Sequence, residues 1–437
     1  MGTVARRLRW PLLTGTYLLL RASSSYGRGA ARFPDSEGYL TLEFLGAGAR
    51  LWPVPLLYTL VRDDSFRILL HVAAGSAAWV FLAFVVARRS RRPWLAITSI
   101  LALGLAPQVI RYDLAILSES LGISFAVATI AATLLWVQSP TAPTASLWAA
   151  CLVVFAMTRP VQLVVLFAVG AAVLLSVAVQ RRRRLAPLAA ALCIAALWGA
   201  VQLRNNHPTS ELNLYTVLQE RILDNDSRFG WFVAHGMPVT PGMRAARGYD
   251  YRKDVDPELL DYLDLPVGQA PPSLIRVGGR PLAEWVRHGG WRRYAWFVVT
   301  HPHDTWQRLS DLSERALDPP DGSFLPLATK DVFPWPWFGA WRWWSVAAAA
   351  VFVLVALDGR RRGESYAVAC GFGFAGVLYA TAVLASGLEH PRHAVTVAVG
   401  VRVLSLVALL LALDLVPVVL RRRGSHGAAH PQHVRRG

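Results

Sequence analysis

The chain has 437 residues, of which 54% are hydrophobic and only 17% charged, and its formal net charge is +17. Its mean hydropathy is +0.36. Soluble domains carry roughly a quarter charged residues, whereas this chain repeats apolar runs near the roughly 20 residues that cross a bilayer. The composition therefore excludes a soluble globular protein and predicts an all-α polytopic membrane protein.

The arginines stand in short clusters at the ends of the apolar runs, which is the pattern of cytoplasmic loops. A nucleic-acid groove needs them spread along a surface, so we expect no nucleic-acid partner. The clusters are Arg6, Arg7 and Arg9; Arg88, Arg89, Arg91 and Arg92; residues 181–184; residues 360–362; and residues 421–423. The three cysteines, Cys151, Cys193 and Cys370, lie in apolar runs without ligand-like spacing and are predicted to be small buried apolar residues.

About ten apolar runs are predicted to be transmembrane helices. The first, residues 10–20, is short and follows a basic cluster, so a cleaved signal peptide is an alternative for it. The others are residues 66–87, 93–110, 119–137, 146–157, 161–179, 185–203, 341–357, 365–386 and 394–420. The run 146–157 is the shortest and spans only if its flanks join the helix or the helix tilts little.

Placing the arginine clusters inside gives a chain in the cytoplasmic membrane with both termini in the cytoplasm. Residues 1–203 hold helices one to seven, with a first outer loop at 21–67. Residues 204–340 form a mainly helical outer-face domain, with helices at 211–223, at 282–299 and after His301-Pro302, and a surface loop at 250–272. Residues 341–420 hold the last three helices, and residues 421–437 form a disordered cytoplasmic tail.

Most acidic residues fall on the outer side of the predicted topology, although that topology was built from the arginine clusters and not from the acids. Ionisable groups at membrane depth are costly and usually face a cavity or a partner. Any chemistry is therefore expected at the outer face. The acids of the membrane region on this side are Asp35, Glu37, Glu43, Asp63, Asp64, Asp113, Glu119 and Glu389.

The first outer loop carries Pro-Asp-Ser-Glu-Gly-Tyr-Leu at residues 34–40. In one interpretation Asp35 or Ser36 caps a short interfacial helix. In the other, Asp35 is a general base or a metal ligand at the mouth of a helix bundle, with Glu37 and Tyr39 beside it. The two are compatible, since a carboxylate at a helix start is held rigidly.

A second acid, Glu119, opens a long apolar helix in the sequence Ser-Glu-Ser-Leu, directly after a turn that holds Arg111 and Asp113. An acid in the first turn complements the helix dipole. Because this helix also begins at the outer boundary, Asp35 and Glu119 are predicted to meet at one mouth, as acid–base chemistry or a divalent cation requires.

Two basic turns are candidates for binding an anion. Arg159 in Thr-Arg-Pro either extends to the interface or binds phosphate, for which a guanidinium fork is well shaped. The turn Glu389-His390-Pro391-Arg392-His393 has an acid, two histidines and an arginine between two predicted membrane helices. The favoured interpretation is that this turn binds an anionic ligand.

Two further motifs are better explained by structure than by chemistry. His301-Pro302-His303-Asp304 has the look of a metal site, but Pro302 at a first helical position is the favoured interpretation. Trp335, Trp337, Trp341, Trp343 and Trp344 form an interfacial aromatic belt, with sugar stacking as the lesser alternative. Phosphate-loop, dinucleotide, serine-hydrolase and zinc-protease motifs are absent from the sequence.

The set as a whole resembles the GT-C-type integral-membrane glycosyltransferases, and most of all the bacterial relatives of the dolichyl-phosphate-mannose protein mannosyltransferases. The resemblance rests on the P-D-S-x-x-Y-L loop, the S-E-S-L helix start, Arg159-Pro160 and Pro391-Arg392-His393, and it covers roughly residues 1–203 and 341–420. Many relatives have Arg-Tyr where this chain has Arg392-His393.

The resemblance implies inverting transfer of a sugar from a polyprenyl-phosphate donor to a hydroxyl of a glycan, lipid or protein at the outer face. Asp35 would be the base, Glu119 would support it or share a divalent cation, and Arg159, Arg392 and His393 would bind the donor phosphate. Glu37, Tyr39, Arg111, Asp113 and Glu389 are supporting candidates. The alternatives are a flippase or transporter for lipid-linked sugars, to which Arg402 and Asp414 inside the last apolar run would belong, and a non-catalytic envelope-assembly protein.

Overall fold

The computed structural model describes residues 3–45, 50–179, 185–205, 207–240, 243, 273–318, 338–357, 361–386 and 390–427. Helix accounts for 84% of these residues, and they contain no strand. The prediction of an all-α chain is confirmed. Glu389, Trp335, Trp337, the loop 250–272 and the arginines at 181–184 lie outside the described residues.

The described residues of the N-terminal half form ten helices. They are α1 (Thr3–Ser25), α2 (Glu37–Leu40), α3 (Pro53–Leu60), α4 (Asp64–Ala87), α5 (Pro93–Leu103), α6 (Pro107–Ile110), α7 (Glu119–Gln138), α8 (Ala142–Ala156), α9 (Leu163–Val179) and α10 (Ala186–Asn205). Tight 3-10 turns at Pro34–Ser36, Arg111–Leu114 and Pro160–Gln162 connect some of them.

The remaining described helices are α11 (His207–Val217), α12 (Asp226–Ala234), α13 (Ser273–Trp285), α14 (Trp291–Thr300), α15 (Pro302–Leu317), α16 (Trp341–Leu357), α17 (Arg362–Leu384) and α18 (His390–Gly427). Pro302 stands in the first turn of α15, as the sequence predicts. The helix predicted at 282–299 is instead interrupted, since wider turns over Val286–Gly290 separate α13 from α14.

The prediction of about ten spans is wrong, although every predicted run is helical. Among the described residues, six helices are long and apolar enough to cross a membrane, and a seventh span results if α5 and the segment Pro107–Leu114, bent by 54°, count as one. The six spans are Asp64–Ala87, Glu119–Gln138, Pro160–Ala178, Ala186–Arg204, Arg362–Leu384 and His390–Leu415. Helix α8 has only 15 residues, which is about 22 Å of helix against a core of about 30 Å. Helix α16 has 17 residues, and α1 contains several arginines. Neither helix is therefore among the six spans.

Two apolar cores hold the bundle together, and α18 contributes to both. One core joins α1, α4, α5 and α7 to α18, and the other joins α8, α9 and α10 to α15, α17 and α18. Within the apolar part of α18, 94% of the residues are buried, against 28% for α17. A third core lies within α11–α14, around residues such as Tyr215, Phe232 and Phe297. Helix α18 is therefore the central element of the described bundle.

The two charged residues within the apolar run 394–420 of α18, Arg402 and Asp414, have local partners. Arg402 is fully buried, pairs with Asp318 at the end of α15, and donates to the carbonyl oxygens of Phe338 and Ala398. Asp414 accepts from the backbone N–H of Arg91 at 3.0 Å and lies 3.3 Å from the guanidinium of Arg361. These contacts tie α18 to its neighbours, so neither charge needs a translocation path to explain it.

The cysteines are less buried than the sequence predicts. Cys151 and Cys193 are half-buried and Cys370 is exposed, and all three are free thiols. In a helix that crosses a membrane, an apolar residue has no need of a protein core, because the lipid-facing side is equally apolar. The cysteines do lie in apolar helices, but the prediction that they are buried is wrong.

Candidate functional site

Two loops that carry the candidate acids are joined by backbone hydrogen bonds. The N–H of Ala31 donates to the carbonyl of Leu114 at 2.8 Å, and the N–H of Ile116 donates to the carbonyl of Ala31 at 3.0 Å. This short parallel pairing places the 3-10 turn Pro34–Ser36 beside the start of α7. It brings Asp35 and Glu119 to one end of the bundle, although 84 positions separate them in the chain.

Arg392, in the first turn of α18, bridges the two carboxylates. Its Nη2 atom lies 2.7 Å from Asp35 Oδ2, and its Nε atom lies 2.5 Å from Glu119 Oε1. Glu119 is fully buried and Arg392 nearly so, whereas the side chain of Asp35 is 37% exposed. Asp35 is therefore the accessible end of a buried charge cluster, which we call the Arg392 cluster: Asp35, Glu119, Arg159, Arg392 and His393.

Arg159 fixes the other side of the cluster. Its Nη2 atom lies 3.4 Å from Glu119 Oε1, and its Nη1 atom donates to the carbonyl of Arg392 at 3.0 Å. The same guanidinium lies 2.8 Å from Nδ1 of His393. Because a guanidinium only donates, Nδ1 is the acceptor, and the neutral ring carries its proton on Nε2. The sequence-predicted acids, arginines and histidine thus form one connected group.

Arg50 belongs to the site and was missed by the sequence reasoning. Its Nη2 atom lies 3.3 Å from Asp35 Oδ1, and its guanidinium stands over the ring of Tyr39 at 5.2 Å. The Tyr39 hydroxyl in turn lies 3.1 Å from the hydroxyl of Ser118, the residue before Glu119. A signal for Arg50 did exist, since it is an arginine in the first outer loop and outside the basic clusters at the ends of the runs.

Asp113 lies behind the Arg392 cluster, in a second buried network. It pairs with Arg21 of α1 at 2.9 Å and accepts from the hydroxyl of Ser120 at 2.6 Å. Its carbonyl contacts His71, whose other ring nitrogen lies 2.6 Å from the Tyr58 hydroxyl. This network ties the first turn of α7 to α1, α3 and α4, which positions Glu119 without touching it.

The other supporting candidates are placed less centrally. The side chain of Glu37 is 74% exposed and contacts Arg32 at 3.5 Å, so it points away from Arg392. Arg111 donates to the carbonyl of Pro107 at 3.3 Å. Glu389 lies outside the described residues. His301, from the metal-like motif, stacks on Phe297 with 4.3 Å between ring centroids, in keeping with its structural interpretation.

The charges of the site favour an anionic ligand. Three guanidinium groups, those of Arg50, Arg159 and Arg392, face the two carboxylates of Asp35 and Glu119. Burial raises the pKa of Asp35, but the charges of Arg392 and Arg50 outweigh it, so this pKa lies below the ordinary value of 3.8. Asp35 is ionised at neutral pH, and the three guanidinium groups of the Arg392 cluster and Arg50 outnumber the two carboxylates.

A divalent cation does not fit the described residues of this site. Such a cation needs several oxygen or nitrogen ligands around one point, and no group of three or more His, Cys, Asp or Glu within the described ranges meets that requirement. The guanidinium of Arg392 stands between Asp35 and Glu119, where a bridging cation would have to be. We therefore assign no step of the chemistry to a metal.

Comparison of the chain with models of known protein families, with curated proteins and with solved structures finds no match.

Proposed function

We propose that the protein is a membrane glycosyltransferase that moves a sugar, with inversion, from a polyprenyl-phosphate donor to a hydroxyl acceptor. The observation that carries the proposal is the Arg392 cluster together with Arg50, in which three largely buried guanidinium groups surround two carboxylates, and the carboxylate of Asp35 is accessible. Transfer from a phosphate donor needs both elements, a base for the acceptor and cations for the leaving group. In the topology predicted from the arginine clusters, the site faces the outer side of the cytoplasmic membrane.

In the proposed reaction, the acceptor oxygen attacks the anomeric carbon while the bond from that carbon to the phosphate oxygen breaks. The acceptor proton passes to Asp35, and the bonding electrons leave with the polyprenyl phosphate. Negative charge grows on that phosphate, and Arg159 and Arg392 stabilise it, with Nε2–H of His393 as a further donor. A donor with a polyprenyl chain suits a site at the end of a helix bundle, because the chain can remain in the bilayer.

Donor binding would also prepare Asp35 to act as the base. In the structure Arg392 is shared by Asp35 and Glu119. A phosphate at Arg392 would compete with Asp35 for the guanidinium and neutralise the charge that lowers the Asp35 pKa. The pKa of Asp35 would then rise and the carboxylate would become a better proton acceptor in the donor complex.

The test is sugar transfer by purified protein in nanodiscs, with a radiolabelled polyprenyl-phosphate sugar and a mixed hydroxyl-acceptor fraction. We expect Asp35→Asn to lose about 10²–10⁴-fold in rate, the usual contribution of a general base. Glu37→Gln is the matched control, because it neutralises an exposed acid two positions away and should keep wild-type activity.

Equal thermal unfolding midpoints for both variants would show that any loss is chemical. Full activity of a folded Asp35→Asn protein would refute the assigned base. If Arg159→Gln and Arg392→Gln leave both the rate and the donor KM unchanged, the donor-phosphate site is also wrong.

A further inference from the structure

An aromatic cleft lies on the exposed side of α14, apart from the Arg392 cluster. It has a volume of about 480 Å³ and is lined mainly by Trp231, His235, Arg292, Arg293, Trp296 and Val299. We call it the α14 cleft. Neither the transfer chemistry nor the packing of α11–α14 uses its open face, so its composition needs a separate explanation.

The α14 cleft lies at a boundary of the predicted membrane region. On the buried side of α14, the hydroxyl of Tyr294 donates to the carbonyl of Leu384 at 2.7 Å. Leu384 is the last residue of the spanning helix α17, and α18 with Arg392 begins six positions later. Helix α14 therefore sits where a span leaves the bilayer, at the same end of the bundle as the Arg392 cluster.

The exposed face of α14 is apolar to a degree that water does not favour. Trp296 is 58% exposed and Val299 is 70% exposed, and Trp306 at the start of α15 is 72% exposed. Phe297 and Tyr294, on the opposite face, are buried in the core of α11–α14. Exposed apolar side chains that line one cleft, as Trp296 and Val299 do, mark a surface that another apolar body covers.

Two arginines flank these apolar residues, and the described residues offer neither of them a carboxylate. Arg293 rests on the ring of Trp285 at 5.5 Å, and Arg292 is exposed. Other arginines of the same region are paired with acids: Arg221 with Asp304, Arg287 with Glu211 and Arg280 with Glu284. The cations at the cleft thus differ from their neighbours and are suited to an anion from outside the described chain.

We propose that the α14 cleft binds an anionic phospholipid of the surrounding bilayer. Its phosphate would lie between Arg292 and Arg293, and its acyl chain would cover Trp296 and Val299. A sugar is the poorer fit, because hydroxyl groups need polar partners and the described residues that line the cleft include no carboxylate or amide side chain. The combination of basic, tryptophan and aliphatic residues on one helix face is typical of segments that lie in the membrane interface.

Native mass spectrometry of the delipidated full-length protein tests this binding, with phosphatidylglycerol and phosphatidylcholine of identical chains as the two probes. We expect the wild type to retain phosphatidylglycerol in preference to phosphatidylcholine. The double variant Arg292→Gln/Arg293→Gln should bind phosphatidylglycerol about 30-fold more weakly, from about 1 kcal/mol for each arginine at an anionic surface. Arg280→Gln, which removes an exposed arginine nearby, is the control and should bind like the wild type.

Two more variants separate lost binding from lost folding. Arg292→Lys/Arg293→Lys keeps the charge and should keep the preference, while Trp296→Ala should weaken both lipids alike. Phosphatidylglycerol binding by the double Gln variant at the wild-type level would overturn the proposal. So would equal binding of the two lipids, or displacement of phosphatidylglycerol by a water-soluble acidic oligosaccharide. None of these outcomes depends on glycosyltransferase activity.

Discussion

Arg392 contacts two acids that approach it from different parts of the chain, and its charge, together with that of Arg50, keeps Asp35 ionised. The pKa of Asp35 is shifted downward: burial raises it, but the arginines outweigh that effect and hold it below 3.8. The ion pair therefore stabilises the fold at pH values above 3.8, and this contribution disappears as the pH falls through the lowered value. At neutral pH, Asp35 is available as a base but is a weak one.

The pH dependence of transfer should reveal whether the donor changes the Asp35 pKa. The profile of kcat/KM reports the free enzyme, so its acid limb for Asp35 should lie below pH 3.8. The profile of kcat reports the donor complex, in which phosphate occupies Arg392, and its acid limb should lie at higher pH. Rates measured from pH 3.5 to 8 with saturating and limiting donor test this order. An acid limb of kcat at or below that of kcat/KM would contradict the proposed competition for Arg392.

Single residues of the site were predictable where a local motif marks them. Asp35 lies in the short 3-10 turn Pro34–Ser36 and Glu119 begins α7, while Arg159 and Arg392 each adjoin a proline at the start of a helical segment. Arg50 and Arg21 escaped prediction, because their importance depends on contacts with Asp35 and Asp113 at long sequence separation. The hydrophobic pattern places residues along helices but does not specify which loops meet.

At the level of the helices, α4 and α1 fit closely around one glycine. A Cβ atom at Gly75 would stand 2.6 Å from Cζ of Arg21. Arg21 cannot readily move, since its guanidinium also binds Asp113, the Tyr17 hydroxyl and the carbonyl of Gly104. The small residue in α4 thus makes room for the buried arginine that supports the start of α7.

Gly75→Ala should therefore destabilise the protein by about 1–3 kcal/mol, the usual cost of overpacking a close-fitting interior. Gly373→Ala in α17 is the matched control, because nothing lies within 4 Å of the added atom. The control should be neutral or gain about 0.5–1 kcal/mol, since alanine favours a helix interior over glycine. Thermal unfolding in one detergent measures both. Equal unfolding midpoints for the two variants would show that Arg21 adjusts at little cost.

The existence of most helices was predictable, but their number as spans was not. The apolar runs at 93–110 and 146–157 are both helical, yet the first bends by 54° between its two helices and the second yields only 15 residues. Hydropathy along a sequence shows that a segment is apolar, but it does not give the length or the straightness of the helix that the segment forms. The break before Pro107 has a local cause, because a proline cannot continue the preceding helix. The short length of α8 is not explained by composition.

In the whole molecule, the pair Asp318–Arg402 connects the region of α11–α15 to the membrane bundle. Arg402 lies 12 positions from His390, which is about 18 Å along α18 from its start. Helix α15 therefore enters beside α18 and ends deep within the bundle. The N–H of Trp341, which begins α16, also contacts Asp318 at 3.3 Å, so three helices meet at this pair.

Removing either charge should leave the other uncompensated, at a cost of about 3–5 kcal/mol for a buried pair. We expect Asp318→Asn and Arg402→Met each to lower stability strongly, and the double variant to lose less than the sum of the two. Denaturant unfolding of all four proteins gives the coupling energy. Strictly additive losses would mean that the pair contributes no specific interaction and that packing alone anchors α15.

The burial of α18 has a consequence for biogenesis. Among the described helices, α18 is the last to be synthesised, yet it supplies Arg392 and the surface on which both bundle cores close. Until α18 is made, the earlier helices lack the helix that contributes to both cores. Asp35 and Glu119 then also lack the guanidinium of Arg392 that they share. A chain that stops before residue 390 would hold most of the spans but no assembled site.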